Sequence, residues 1–87
     1  MVYRCDFEKV NPMSNEHWFF RTFEHAIEKF QTLLLDIVLP LYNSPSEYDL
    51  FPIPKDKLIP GANYLLFQSD DEMIWLEAIH FSDDSKT

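Results

Sequence analysis

The chain has 87 residues, a net charge of −8 from 15 Asp and Glu against 7 Lys and Arg, and 46% hydrophobic and 16% aromatic residues. That length suits one domain of the usual ~50–250 residues, the apolar content excludes intrinsic disorder, and a single Cys excludes an intramolecular disulfide framework. No apolar run reaches the ~18–20 residues of a membrane span, Met1-Val2-Tyr3-Arg4-Cys5-Asp6 does not read as a signal peptide, and the acidic balance argues against direct contact with nucleic-acid phosphates, so a cytoplasmic protein is expected.

Residues 2–10 alternate: Tyr3, Cys5 and Phe7 fall on one face, and Val2, Arg4, Asp6 and Glu8 on the other. A period of two with one apolar face predicts a half-buried strand. Asn11-Pro12-Met13-Ser14-Asn15 punctuates, and Asn11 or Ser14 is a candidate N-cap. Phe20, Phe23, Ile27, Phe30, Leu34, Ile37 and Leu41 then recur at steps of three and four, which predicts one long amphipathic helix over residues 15–39. At 1.5 Å per residue it would be about 37 Å long. Its far end, Leu33 to Leu39, is apolar almost all round and is expected to be buried on more than one side, and Pro40 stops it.

Residues 41–61 form an irregular, Pro-rich connection. Ser44-Pro45-Ser46-Glu47 fits a capping box with Pro at the first helical position, which predicts a short helical turn through Tyr48 and Leu50. Pro52, Pro54 and Pro60 exclude a central strand there, while Phe51, Ile53, Leu58 and Ile59 supply apolar side chains to lay across the core. Residues 63–81 predict a hairpin, with Gln68-Ser69-Asp70-Asp71-Glu72 as its turn and Tyr64–Phe67 and Met73–Phe81 as its strands. The second strand is apolar on both faces apart from Glu77 and His80, which predicts a central position. Residues 82–87 are a polar tail. The expected architecture is a single α+β domain over residues 1–87, in the order β-α-(irregular)-β-β. A three-stranded, mostly antiparallel sheet packs on one long helix. The first strand or the Tyr64–Phe67 strand would be left at an edge, open to a partner or a second copy.

Searches for chemistry return little. One Gly rules out a glycine-rich phosphate loop. Cys5, His17, His25 and His80 lack ligand spacing, so neither metal nor cofactor is expected. Cys5 lies on the apolar face of its strand, where a thiol is ordinarily inert. Glu24, His25 and Glu28 cluster as a solvated helix face does, so no enzyme is expected.

The charge, by contrast, has a location. Residues 70–87 hold Asp70, Asp71, Glu72, Glu77, Asp83 and Asp84 against Lys86 alone, which places a net −5 of the −8 in the last 18 residues. These acids flank Trp75, on a last strand about 30 Å long. Acidic turns and tails keep a small apolar domain soluble, and the same clusters can clamp a basic surface around an apolar contact. The expected function is a small acidic inhibitor that blocks a basic, nucleic-acid-binding surface of a partner such as a nuclease, as immunity proteins, antitoxins and phage anti-defence (anti-CRISPR-like) proteins do. Asp70, Asp71, Glu72, Trp75, Glu77, Asp83 and Asp84 would form the contact. The alternative is a structural subunit or homodimer that buries its aromatic face and an edge strand.

Overall fold

The structure, a computed structural model, describes residues 1–10 and 13–79. Its class is α+β: one antiparallel sheet carries a single long helical segment across one face. The sheet has five strands rather than the expected three: β1 (Val2–Val10), β2 (Met13–Phe20), β3 (Tyr48–Leu50), β4 (Asn63–Ser69) and β5 (Glu72–Ile79), in the spatial order β2-β1-β5-β4-β3. The last strand is central, as its apolar composition predicts. The expected edges are not edges, however. β1 lies between β2 and β5, and β4 lies between β5 and β3, so among the described residues the free sides belong to β2 and β3.

The largest departure is at residues 13–20, which form β2 instead of opening the helix. Trp18 and Phe20 face the covered side opposite Cys5 and Tyr3, and His17 and Phe19 face the open side opposite Asp6 and Arg4. Aromatic residues suit a pleated surface, and pairing with β1 sets Trp18 and Phe20 against the core beside Cys5 and Tyr3. Phe20 fits both periods, which is why the helical stripe extends backwards to it in the sequence. The helix α1 (Phe23–Leu33) begins only after Thr22, whose hydroxyl accepts the His25 N–H at 3.2 Å as N-cap.

α1 continues as a π-helical turn over Leu34–Val38 and a 3-10 turn over Leu39–Leu41 that contains Pro40. Leu33 and Val38 are fully buried, but Leu35, Ile37 and Leu41 are 64, 40 and 56% exposed. The expectation that this end is buried on several sides fails, because only one layer of sheet lies beneath it. In the Pro-rich connection the helical turn expected through Tyr48 and Leu50 stops at a 3-10 turn over Pro45–Glu47, and Tyr48–Leu50 is instead the strand β3, because its backbone pairs with β4. In that turn the Ser44 hydroxyl bonds to that of Ser46 rather than capping, while Glu47 reaches back to the Asn43 N–H.

A register shift between Leu65 and Phe67 makes a β-bulge in β4, so that adjacent Leu66 and Phe67 are both buried. Gly61, at φ +88°, supplies the left-handed residue that turns the chain into β4 and donates its N–H to the Ala78 carbonyl. Cys5, Phe7, Ala26, Leu33, Val38, Leu66, Phe67, Ile74 and Leu76 make the core.

At one end of that core Glu72 is 8% exposed, and its carboxylate accepts from the Tyr42 and Ser69 hydroxyls while its backbone N–H donates to Ser69 Oγ. Tyr42 also packs against Tyr48 and Phe67, so the network ties the end of the helical segment to the β4–β5 turn. A buried carboxylate that loses a hydroxyl donor loses about 1–3 kcal/mol. Tyr42→Phe is therefore expected to lower unfolding free energy by that amount in a urea titration, with the ring packing retained.

Candidate partner-binding surface

The alternation of β5 divides the expected contact residues. Glu72, Ile74, Leu76 and Ala78 turn toward α1 and are buried, whereas Met73, Trp75, Glu77 and Ile79 lie half-buried on the face away from the helix. Glu72 and Trp75 are thus on opposite sides of the sheet. Glu72 belongs to the Tyr42–Ser69 network and presents no charge to a partner.

Glu77 is also engaged. It stands opposite Arg4 across the β1–β5 pair and accepts from the guanidinium at 2.5 Å, while Arg4 Nε lies 3.1 Å from Asp6 Oδ2. That second contact is an ion pair without hydrogen-bond geometry, since Arg4 Nε has no hydrogen-bond acceptor. Trp75 is opposite Asp6 on one side and Leu65 on the other, and its indole N–H is enclosed without an acceptor. The face away from the helix is thus a mixed surface of Trp75, Phe19, Met73 and Ile79 around an Arg4–Glu77–Asp6 cluster in which one base meets two acids.

Asp70 and Asp71 are exposed at the β4–β5 turn, as expected, and have company the sequence does not reveal. Because β3 pairs with β4 in the register Asp49↔Gln68 and Tyr48↔Ser69, exposed Glu47 and Asp49 arrive beside Asp70. Ser46, Glu47, Asp49, Gln68 and Asp70 line a polar hollow of about 170 Å³ there. The sequence marks Glu47 only as the last residue of a capping box and Asp49 not at all, and both join the cluster through strand pairing. Asp83 and Asp84 lie outside the described residues, as does His80.

On the helix side of the same edge strand lies an apolar groove of about 390 Å³, bounded by Phe23, Ile27 and Phe30 of α1, by Leu50, Phe51, Pro52 and Ile53, and by Leu66 on its floor. Of the side chains expected to lie across the core, Ile53 and Leu58 pack against it, whereas Phe51 and Ile59 remain 40 and 63% exposed, and Leu50 beside Phe51 is 48% exposed. Beside Phe23, Lys55 pairs with Glu24 at 2.6 Å, which holds the Glu24 carboxyl below its usual pKa and raises that of Lys55. Both side chains are exposed, so the pair neutralises that side without anchoring it.

Cys5 is fully buried, and burial pushes its thiol up to about 12, with Asp6 adding to the rise and Lys29 opposing it. A thiol held neutral in the core is a poor nucleophile. His25, Glu28 and Lys29 border a separate shallow hollow with Phe20 and Thr32. Among the described residues no group of three His, Cys, Asp or Glu is placed to hold a metal ion, and no helix is long and apolar enough to cross a membrane. Comparison of the chain with protein-family models, with curated proteins and with solved structures gives no match.

Two outcomes follow from this division of the acids. Glu77→Gln is expected to destabilise the fold by about 1 kcal/mol through Arg4, whereas Asp70→Asn with Asp71→Asn should stay within about 0.5 kcal/mol of the parent, both measured by urea unfolding. Cys5 should react with a thiol reagent at neutral pH only as fast as the domain unfolds, so that its labelling rate rises with urea.

Proposed function

We propose that the protein is a non-catalytic binding protein of the cytoplasm that sets its acidic end against a basic surface of a partner protein and blocks it. One observation carries this: the fold collects exposed Glu47, Asp49, Asp70 and Asp71 from two separate stretches at one end of the sheet, beside an open apolar groove. Among the described residues the strands bring one base to that end, Lys9, opposite Glu72. Uncompensated like charges work against the compact state, so their collection beside incompletely buried apolar residues favours a contact surface over a merely soluble one. A nuclease or nucleic-acid-binding complex offers the complementary field, and an acidic ligand can occupy its basic groove in place of phosphate. This is the logic of immunity proteins, antitoxins and phage anti-defence inhibitors. Steering by such a cluster speeds association and weakens with salt. The carboxylates that serve are Asp70 and Asp71 of the original expectation, joined by Glu47 and Asp49. Glu72 and Glu77 act in the fold.

A second reading rests on β2. Among the described residues no strand pairs with the outer side of its eight residues, and Met13 and Phe19 are 85 and 56% exposed. An open edge of that length can pair with a second copy and would make the protein a structural homodimer. Light scattering at low and high salt separates the two: a monomer at both supports docking on a partner, and a salt-insensitive dimer supports the edge-paired form. For the docking form, replacing Glu47, Asp49, Asp70 and Asp71 by their amides should slow association with the captured partner about tenfold or more at low salt. An unchanged association rate rules out the electrostatic reading.

A further inference from the structure

The polar hollow and the apolar groove adjoin across the β3 edge. Leu50, opposite buried Phe67, turns to the helix side and opens the groove, whereas Asp49, opposite exposed Gln68, turns to the other face and borders the hollow. An extended segment along this edge therefore meets the two through side chains an odd number of positions apart. The β3–β4 register, continued by the hydrogen bond from the Phe51 N–H to the Leu66 carbonyl, turns the Leu50 N–H and C=O outward to the free side of the sheet. The surface is also polarised across the edge. Glu47, Asp49 and Asp70 border the hollow, the apolar groove adjoins it, and Lys55, paired with Glu24, lies 5.8 Å from the ring of Phe23, one of the groove's walls.

We propose that this edge is the docking site for a basic segment of the partner protein that places one large apolar side chain in the groove and Lys or Arg side chains on Glu47, Asp49 and Asp70. The inference rests on the acidic-docking reading and specifies where the apolar anchor lies: on the β3 edge rather than on the open face around Trp75. Charge complementarity selects the occupant. A second copy of this chain would bring its own acids to the hollow, and an uncharged lipid-like ligand would leave the carboxylates unused. Leu50 and Glu47 are three residues apart, about 10 Å along an extended chain, so an extended segment carries its basic residues about three positions from its anchor.

The test uses the full chain and a synthetic peptide of about ten residues with one Phe and a Lys pair beginning three positions from it. Controls replace the Phe by Ser or the Lys pair by Glu. Affinity is measured by NMR titration at low and moderate salt, with far-UV circular dichroism confirming each variant's fold. The Phe/Lys peptide should bind and perturb the amides of Leu50 and Phe51, and both controls should bind at least tenfold more weakly. Leu50→Ala with Phe51→Ala should weaken binding about tenfold, and Glu47→Gln, Asp49→Asn and Asp70→Asn together should do the same while flattening its salt dependence. If the groove variant binds as the parent does and the acidic variant does not, the β3 proposal is wrong and acidic docking stands. If the Ser control binds equally well, the groove is not the anchor site, with the same consequence. Self-association that is lost on Leu50→Ala with Phe51→Ala would overturn the proposal in favour of a second copy. No binding of the Lys-containing peptides even at low salt, together with unaltered capture of the partner by the acidic variant, would overturn both readings.

Discussion

Everything else in the molecule hangs on β5, the strand that pairs with β1 on one side and β4 on the other. Its inward residues Ile74, Leu76 and Ala78 are fully buried beneath the helical segment, and Glu72 closes their row. Both neighbours are antiparallel, so the side-chain alternation of β5 dictates which face of β1 and β4 turns inward. A slip of one residue would exchange Ile74 and Leu76 for Trp75 and Glu77 in the core. That exchange would bury the Glu77 carboxylate away from Arg4, a penalty that holds the register.

Among the described residues, a single helical segment over five strands covers one face of the sheet and none covers the other. The uncovered face is made tolerable by mixing. Arg4 lies between Glu77 and Asp6, and the apolar area of Trp75 and Phe19 is interrupted by these charges. The same shortage of chain sets the other side of the molecule. After the π turn and Pro40, residues 41–61 must return to the sheet edge with three prolines in 52–60, and they can spare only three residues for β3. The short strand leaves the groove beside α1 part-filled. It also carries Glu47 and Asp49 to the turn that already bears Asp70 and Asp71.

The acids therefore do two kinds of work that formal charge does not distinguish. Glu72 and Glu77, adjacent to the others in sequence, are consumed by Tyr42, Ser69 and Arg4. Glu47 and Asp49, remote in sequence, remain solvated beside Asp70. Hydrogen-bond donors brought by other elements make the difference, and the chain contributes them from positions 4, 42 and 69.

Sequence alone determined the α+β class, the strand over residues 2–10, the helical phase from Phe23 onward, the 63–81 hairpin through its described part and the central place of its second strand. These are local or strongly periodic signals, in which the burial of one face repeats every two or about 3.6 residues. Tertiary structure decided what periodicity cannot encode. Met13–Phe20 became a strand because β1 offered it partners, although Phe20 fits the helical stripe as well. Tyr48–Leu50 became a strand because β4 had a free side, although prolines surround it. Both are edge strands, and edges carry the weakest sequence signal because half of their environment is solvent. The net charge of −8 was legible from composition, and its concentration after residue 70 from position. Which carboxylates are spent on the fold and which stay exposed was settled only by the strand pairing, because a carboxylate's availability depends on the donors that folding places around it.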